Sequence, residues 1–480
     1  MTTPRICVAE QLPGTAAQDS HVPVVVVGGG ACGLTAALML HDAGVDCAVL
    51  ERDATPTGST ALSSGFIPAP GTQVQRTAGI EDSPARFAAD INAKAKGRAA
   101  PHLVDAYAEA IGPALDALQE RHGLQWQVLD GFVYPGHSVL RMHATPEKTG
   151  AGLMGRLVNA VATADVPLVL DATVRELWVN AQQRVIGVGY EQPGGAMEYL
   201  SCDAVILACN GFGGNAAMVQ ALLPEMRDAL FAGHTGNDGS AIVWGQALGA
   251  RLADLGGYQG HGSWAIPQGA LISWALMMEG GIQLNALGER FHDETQGYSE
   301  ASVHVLAQPG GVAWTVFDQP ILALARSFPD FVDAEAAGAL KSCDDVQALA
   351  VTMGCDESKL IAALARMTGV RGQKHLEKRV FKRSLQPPFY AVKVTGALFH
   401  TQGGLDIDAQ CRVLNTQGQP FPNLLAAGGA ARGVSGDAVW GYLSGNGLLS
   451  SMAGGYIAAH TATQLIAHAD NFSSPPSSSF

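Results

Sequence analysis

The stretch VPVVVVGGGACGLTAALMLHDAGVDCAVLE, residues 22–51, decides the fold. Its first six residues are mostly valine, which is typical of a strand buried on both faces of a parallel sheet. Three glycines then follow the pattern GxGxxG, and apolar residues recur at helical spacing over 31–43. A second apolar run ends at Glu51, 18 residues after the last of these glycines, Gly33. The order strand, glycine turn, helix, strand predicts a βαβ unit that binds a dinucleotide.

Each part of this unit has a predicted role. Gly28 makes the tight turn, Gly30 admits the pyrophosphate, and Gly33 lets the helix and the strand pack closely. The helix start supplies amide N–H groups to the phosphates, and Glu51 accepts hydrogen bonds from ribose hydroxyls. The alternative is a glycine-rich turn in a sheet that binds nothing. NAD and FAD both use such a unit, so other segments have to distinguish them.

The composition limits what the rest of the chain can be. Of its 480 residues, 47% are hydrophobic and 15% are charged, so the chain can bury a large core and general disorder is excluded. The formal net charge of −14 disfavours nucleic-acid binding. The cysteines form no CxxC pair, no apolar leader opens the chain, and no run of about 18 apolar residues occurs. We therefore expect a cytoplasmic protein with no metal, no iron–sulfur cluster and no integral membrane segment.

Changes in residue pattern predict the domain organisation. The 58 glycines gather in separate groups, as expected if the backbone approaches one large ligand at many points. Strand-like runs fill 166–208 and return after Pro387–Pro388, whereas the region between carries several tryptophans and helical stretches. The sequence thus predicts an α/β protein with a discontinuous nucleotide-binding domain, an inserted α+β cap domain and flexible termini. The predicted bounds are 22–254 with 387–468 for the first domain, 255–386 for the cap, and 1–21 and 469–480 for the termini.

Four further segments favour FAD over NAD. They are TGSTALSSG (57–65), ILACNGFGGN (206–215), HTGNDG (234–239) and LLAAGG (424–429). With the first unit, this set resembles in order, from 22 to about 466, the fumarate reductase and 3-ketosteroid dehydrogenase superfamily of FAD enzymes. The resemblance implies a doubly wound FAD-binding domain, Rossmann-type and glutathione-reductase-like, with a cap that helps to set the substrate.

The resemblance also implies how FAD is held. Members that bind FAD covalently carry a histidine in the segment matching 57–65, and this chain has none there, so the FAD is expected to be non-covalent. The family often has Glu, contacting the ribityl chain, where this chain has Gly429. The predicted cofactor-binding residues are Gly28, Gly30, Ala31, Cys32, Gly33, Glu51, Arg52, Ser59, Thr60, Ser64, Gly65, Val174, Asn237, Asp238, Gly429, Asn446 and Leu448.

The late segment GYLSGNG (441–447) and the segment GYSE (297–300) indicate the substrate class. Fumarate reductases hold a dicarboxylate with arginines, because two carboxylates need bidentate partners once water is expelled. Their pattern R-L-G-G-N is matched by the residues from Tyr442 to Asn446, and Tyr298 stands where charge is expected in the cap. A small, apolar and neutral ketone is therefore the predicted substrate.

Together, the two segments closely resemble those of the 3-ketosteroid Δ4-(5α)-dehydrogenases, which introduce a 4,5 double bond beside a 3-keto group. The resemblance implies catalytic roles for Tyr442, Ser444 and Tyr298, with hydride transfer to flavin N5 and removal of the α proton by a tyrosine. The simpler alternatives are packed core tyrosines and a serine that caps the next helix. The predicted substrate-binding residues are His400, Trp440 and Gly445.

Three functions remain open at this point. The leading one is FAD-dependent dehydrogenation of a 3-ketosteroid or a smaller cyclic ketone, with an electron acceptor that the sequence does not identify. The others are an ene-reductase of the fumarate reductase type and a non-catalytic flavin-binding redox sensor. The basic residues of 371–383 are expected on a solvated helix face, or to dock an acidic electron carrier. Arg290 and Glu294, four residues apart, are expected to form an ion pair.

Overall fold

The computed structural model describes residues 3–13, 20–131, 133–368, 379, 381 and 383–473. The strands are β1 (Arg5–Val8), β2 (His21–Val27), β3 (Cys47–Leu50), β4 (Ile67–Pro68), β5 (Gln127–Val128), β6 (Met142–Ala144), β7 (Leu168–Val169), β8 (Thr173–Val179), β9 (Val185–Glu191), β10 (Met197–Leu207), β11 (Leu230–Phe231), β12 (Leu252–Ala253), β13 (Tyr258–Ala265), β14 (Ala270–Leu271), β15 (Ile282–Leu284), β16 (Val312–Asp318), β17 (Leu340–Cys343), β18 (Phe389–Thr401), β19 (Gly404–Leu405), β20 (Arg412–Leu414) and β21 (Pro420–Ala426). The helices are α1 (Ala31–Asp42), α2 (Gly58–Ala61), α3 (Gln73–Thr77), α4 (Pro84–Lys94), α5 (Pro101–His122), α6 (Gly150–Thr163), α7 (Ala216–Leu222), α8 (Ser240–Leu248), α9 (Ala275–Met278), α10 (Tyr298–Leu306), α11 (Gln319–Ala325), α12 (Pro329–Ala336), α13 (Val346–Met353), α14 (Glu357–Ala365) and α15 (Asn446–Ser473).

The chain divides into two compact units. The first comprises Met1–Met218, Gly233–Tyr258 and His400–Phe480, and the second comprises Val219–Ala232 and Gln259–Phe399. Within the described residues, no helix combines the length and the apolar character needed to cross a membrane.

The first unit is built on a mixed sheet. Its described strands follow the order β1-β8-β9-β10-β2-β3-β7, with β21 also paired to β10 and β20 paired to β21. Strand β2 runs parallel to β3 and β10, and β21 runs parallel to β10, whereas β9 is antiparallel to β8 and β10. The predicted strand, helix and strand of 22–51 are confirmed as β2, α1 and β3, and the α/β class is confirmed with them.

Helix α15 packs against α1 through small residues. A Cβ on Gly455 would overlap the backbone oxygen of Cys32, and one on Gly454 would lie 2.9 Å from the Cβ of Ala427. Glycine at these two positions therefore lets the long helix approach both α1 and the end of β21. This packing brings residues 454–455 of α15 up to Cys32, in the first glycine turn.

The predicted flexible N-terminus is wrong for residues 5–8. They form β1, which pairs in parallel with β8 at the edge of the sheet. Arg5 Nε also donates to the buried carboxylate of Glu176 at 2.9 Å. A four-residue strand gives little sequence pattern, so this long-range pairing was not predictable. At the other end, α15 continues to Ser473, beyond the predicted domain bound of 468.

The second unit has its own sheet and core. Its described strands follow the order β14-β13-β18-β16-β15, and β11 and β17 also pair with β18. The expected ion pair is confirmed, since Arg290 Nη2 lies 2.5 Å from Glu294 Oε2. Arg379 binds the same buried carboxylate, with its Nη1 at 2.9 Å from Oε2.

This second contact corrects part of the prediction for 371–383. Arg379 is buried against Glu294 and so does not belong to a solvated face, whereas Arg383 pairs with Asp318 and stays exposed. Buried carboxylates attract these guanidinium groups because an unpaired buried charge is costly. Residues 371–378, 380 and 382 lie outside the described residues.

Candidate active site

A cleft in the first unit lies where parallel strands end. It encloses about 820 Å³ of empty space, part of it open to solvent. Val27 ends β2, Leu50 ends β3 and Ala208 follows β10, and all three line the cleft together with Gly429, shortly after β21. Ligands of α/β sheets bind at the carboxyl ends of the strands, and this cleft occupies that position.

The glycine turn has the geometry that close approach of a ligand requires. Gly28 has a φ of +110°, and a Cβ there would lie 2.6 Å from the backbone oxygen of Ala208. A Cβ on Gly33 would overlap the Gly28 oxygen, so this glycine joins α1 to the turn. At Gly30, by contrast, the nearest atom to a Cβ would be Thr60 Oγ1 at 3.8 Å. Space therefore remains at the helix start for a ligand to approach the backbone.

Glu51 holds the glycine turn in place through hydrogen bonds to the backbone. Its Oε2 accepts the N–H of Gly29 at 2.6 Å, and its Oε1 accepts the N–H of Asp53 at 3.0 Å. The side chain is buried, and burial raises the pKa of Glu51. Each oxygen retains a lone pair, so the carboxylate can support the turn and still accept from a ligand hydroxyl.

Ser59 is the centre of a polar cluster on the cleft wall. Its Oγ accepts from Asn237 Nδ2 at 2.9 Å and from Asn210 Nδ2 at 3.1 Å. Because these two amides and the more distant N–H of His234, at 3.4 Å, occupy the oxygen lone pairs, the hydroxyl hydrogen is left to donate. The cleft therefore offers a hydroxyl donor, a helix N-terminus and a carboxylate acceptor, a set that fits the phosphates and ribose of a dinucleotide.

The cleft edge beside this cluster is charged. Arg52 Nη1 donates to the Gly236 oxygen at 2.9 Å and lies 3.5 Å from Asp238 Oδ2. His234 Nε2 lies 3.0 Å from Asp53 Oδ2. These contacts join the segment after β3 to the HTGNDG segment, so the two segments together form one edge of the cleft.

Most of the predicted cofactor-binding residues line this cleft. Those that do are Gly28, Gly30, Ala31, Cys32, Glu51, Arg52, Ser59, Thr60, Val174, Asn237, Asp238 and Gly429. Gly33, Ser64, Gly65, Asn446 and Leu448 are not among the lining residues. Gly65 has a different local reason to be glycine, since a Cβ there would lie 2.6 Å from the Thr149 oxygen.

Asn210 and His234 line the cleft but were missing from the predicted set. Both lie inside quoted motifs, ILACNGFGGN and HTGNDG, so a signal for them was present. Asn210 also explains why residue 429 is glycine, because a Cβ there would overlap Asn210 Oδ1. The space that a longer side chain would need at 429 is occupied by this amide.

A second group of predicted residues meets at the start of α15. The rings of His400 and Tyr442 lie edge to face, 5.5 Å between centroids. A Cβ on Gly447 would lie 2.7 Å from His400 Nε2, so the imidazole rests on the first turn of the helix. Tyr442 and Ser444 are both buried. Burial lowers the pKa of His400 to about 4, and its ring is neutral at pH 7.

The turn that carries Ser444 is supported by a residue that was not predicted. His137 Nε2 donates to the Ser444 backbone oxygen at 3.0 Å, and the His137 ring stacks on Phe87 at 6.0 Å. Helix α15 begins at Asn446, and Leu449 N bonds to the Gly445 oxygen, so Gly445 rather than Ser444 flanks the helix.

The other predicted residues lie in different surroundings. Trp440, in the first unit, is half-buried with Lys96 Nζ 4.1 Å from its ring centroid. Tyr298 begins α10 in the second unit, where it stacks on His261 at 5.0 Å. His261 is buried, and burial lowers its pKa to about 3, so Tyr298 packs on a neutral ring.

The fold and the cleft are those of a dinucleotide-binding protein, and the comparisons identify the dinucleotide as FAD. A family model described as FAD binding domain matches residues 23–448, and the chain belongs to this family. The NADH:fumarate oxidoreductase of Klebsiella pneumoniae (strain 342) is 28% identical over 463 residues, which cover 95% of this chain and 49% of that protein. The chain thus spans about half the length of that relative.

Two solved structures extend the comparison. The open conformation of a flavocytochrome c3 fumarate reductase superposes with a TM-score of 0.78 at 26% identity, covering 93% of this chain and 79% of that chain. A 3-ketosteroid-Δ4-(5α)-dehydrogenase from Rhodococcus jostii RHA1, in complex with 4-androstene-3,17-dione, gives a TM-score of 0.75 at 25% identity, covering 96% and 99%. The predicted superfamily and the predicted cofactor, FAD, are confirmed.

Proposed function

We propose that this flavoenzyme dehydrogenates a neutral cyclic ketone between its α and β carbons, with a 3-ketosteroid as the leading candidate. The observation that carries the proposal is the uncharged group of His400, Tyr442 and Ser444 at the start of α15. The sequence has no arginine or lysine over 440–448 or 295–300. Such a group can bind a ketone oxygen but offers no bidentate partner for a dicarboxylate.

The chain's own residues supply the proton chemistry in this proposal. When bound, FAD supplies the acceptor for the hydride that leaves the β carbon. Tyr442, as the phenolate, takes the α proton and becomes the phenol, and the electron pair of the α C–H bond becomes the new double bond. A phenol is a weak base at neutral pH, so the reaction needs donors that stabilise enolate character on the ketone oxygen. His400, Ser444 and the positive end of α15 are the groups available for that task.

Several finer features belong to the same proposal. We infer a non-covalent FAD, which the absence of histidine from 57–65 supports. Residues 255–386 are proposed as a cap domain on a doubly wound FAD domain, with Tyr298 as its substrate-side tyrosine. The support is the resemblance of GYSE (297–300) to the Δ4-dehydrogenases. Trp440 and Gly445 remain proposed substrate contacts.

A second candidate is reduction of an activated alkene. It is favoured by the names of the relatives, an NADH:fumarate oxidoreductase and a flavocytochrome c3 fumarate reductase, which describe the opposite direction at a CH–CH bond. The same donors would then polarise the alkene's carbonyl, and Tyr442 would deliver the proton. The direction depends on the electron partner.

Anaerobic mixing of the yellow holoenzyme with ligands tests both candidates. Saturated 5α-3-ketosteroids, or substituted cyclohexanones, should bleach the flavin and yield the conjugated enone by mass spectrometry. In the reverse assay, dithionite-reduced enzyme is mixed with enones and with fumarate. Rapid reoxidation by fumarate would overturn the neutral-substrate proposal, and a flavin that none of these ligands alters would favour the redox-sensor alternative.

A further inference from the structure

A line of buried polar side chains stands behind His400 in the first unit. Asn446 Nδ2 donates to Ser435 Oγ at 2.9 Å, and Ser435 Oγ donates to Gln402 Oε1 at 2.8 Å. Gln402 Nε2 then lies 3.2 Å from His400 Nδ1. Gln402 is 3% exposed, Ser435 1% and Asn446 0%, so bulk water does not compete for these bonds.

The donor and acceptor roles in these hydrogen bonds determine which nitrogen of the His400 imidazole carries the proton. Gln402 turns its oxygen toward the Ser435 hydroxyl and its NH₂ group toward His400, so Nδ1 has to accept. A neutral imidazole with an accepting Nδ1 carries its proton on Nε2. The backbone oxygen of Thr401, 3.3 Å from Nδ1, favours the opposite tautomer. The amide of Gln402 is the group that decides between them.

The same surroundings keep the ring uncharged. Nε2 faces the first turn of α15, where a Cβ on Gly447 would lie 2.7 Å away. The positive end of a helix disfavours imidazolium, and an imidazole held there acts as a neutral electrophile. Burial lowers the pKa of His400, and the Thr401 carbonyl is the other contributor, acting against it.

We propose that Gln402, Ser435 and Asn446 form a relay that holds His400 in the Nε2–H tautomer, as a neutral hydrogen-bond donor, with Gln402 as the positioning residue. That this donor serves the ketone oxygen rests on the proposed function. The tautomer itself does not depend on which substrate is used. The relay also ties the donor to Asn446, the first residue of α15, so the helix start and the imidazole are held together.

The decisive measurement is the protonation state of each His400 ring nitrogen. Holoenzyme labelled with ¹⁵N-histidine is examined by NMR at pH 7, and the His400 signals are assigned by their loss in His400→Gln. We expect a protonated Nε2 and an unprotonated Nδ1. A proton on Nδ1 in the wild-type enzyme would overturn the proposal.

Gln402→Glu tests the role of the amide. A carboxylate in that place can accept but not donate, so it should pull the proton onto Nδ1 and raise the pKa of His400. The ring should then gain a titration in the NMR signals between pH 5 and 8, and flavin reduction by ketone should change at least tenfold over that range. Gln417→Glu, at an exposed site, adds the same charge and should leave both readouts as in the wild type.

Two further variants keep the test decisive if the buried carboxylate prevents folding. Gln402→Met keeps the side-chain length and removes both bonds, and Ser435→Ala breaks the relay one step earlier. Each should populate the Nδ1–H tautomer with Thr401 as acceptor while FAD content stays unchanged. Unaltered ¹⁵N signals in both variants would refute the relay. Expected ¹⁵N signals without any ketone turnover would instead refute the proposed function and leave the relay standing.

Discussion

Glu51 binds two backbone amides at once, and this makes it the residue on which the cofactor cleft depends most directly. Removing the carboxylate leaves the N–H groups of Gly29 and Asp53 without their acceptor, in addition to any contact with ribose. Hydrogen bonds to charged groups are worth about 1.5–3 kcal/mol each. A single substitution should therefore disturb the turn and the ligand together.

We expect Glu51→Ala to weaken FAD binding roughly 10- to 150-fold, which is the range that one lost charged hydrogen bond gives. Titration of the apoprotein with FAD, followed by quenching of flavin fluorescence, measures the change. Glu120→Gln, at an exposed position on α5, is the matched control and should bind FAD normally. Wild-type affinity in Glu51→Ala would show that the carboxylate has no role in cofactor binding.

Tyr442 is the residue on which the proposed chemistry depends. Tyr442→Phe keeps the ring beside His400 but removes the hydroxyl, so flavin reduction by ketone should slow by about 10²–10⁴-fold. Stopped-flow absorbance measures this rate, and FAD content should not change. Ser444→Ala should cost less, about 10–100-fold, because the helix start can still donate.

The control is Tyr456→Phe, on α15, where the ring packs against His460 at 4.3 Å between centroids. It removes the same atom from the same unit and should leave the rate unchanged. Near-normal reduction by Tyr442→Phe would identify this tyrosine as packing. The proton acceptor would then have to be sought elsewhere, with Tyr298→Phe as the next variant.

At the scale of secondary structure elements, the features that could be predicted are those formed by residues close together along the chain. The β2–α1–β3 unit is formed by one continuous stretch of sequence, and its glycine spacing follows from the geometry of the turn. The pairing of β1 with β8 joins residues about 170 positions apart, and no local pattern encodes it. The bond from His137 to the Ser444 oxygen spans 307 positions and uses a backbone acceptor, which leaves no residue-type signal at 444.

Two helical glycines give predictions of opposite sign for the free energy of unfolding. Gly455 lies in the contact between α15 and α1, whereas Gly155 lies on α6. A Cβ on Gly455 would overlap the Cys32 oxygen, so Gly455→Ala should destabilise the protein by about 1–3 kcal/mol. Gly155, on α6, has no atom within 4 Å of a Cβ, so Gly155→Ala should stabilise by about 0.5–1 kcal/mol. Urea unfolding measures both. A Gly455→Ala variant as stable as the wild type would show that the two helices separate without cost.

At the scale of the whole molecule, buried histidines link stability to pH. Burial lowers the pKa of four of them to about 4 and that of a fifth, His261, to about 3. The four are His137, His143, His292 and His400. Each stays neutral in the folded chain and takes up a proton in the unfolded chain below about pH 6.5.

The sign of the pH effect follows from this difference. Because the unfolded state binds more protons between the lowered pKa values near 4 and about pH 6.5, stability is lost as the pH falls through that window. Glu51, Asp254 and Asp330 act in the opposite sense, since burial raises the pKa of each carboxyl. With His304, whose pKa burial also lowers, six histidines against three carboxyls leave a net loss of stability on the acid side.

We therefore expect the free energy of unfolding, from urea titrations, to be nearly flat from pH 7 to 8 and to fall steeply from pH 6.5 to 5. One histidine contributes up to about 1.4 kcal/mol per pH unit in this window. His143→Gln removes one such group, whose ring nitrogens bond to Thr72 and to the Arg141 oxygen, and should make the acid slope shallower by about that amount. An unchanged slope would mean that His143 is protonated in the folded protein, and that the Thr72 contact is made by a charged ring.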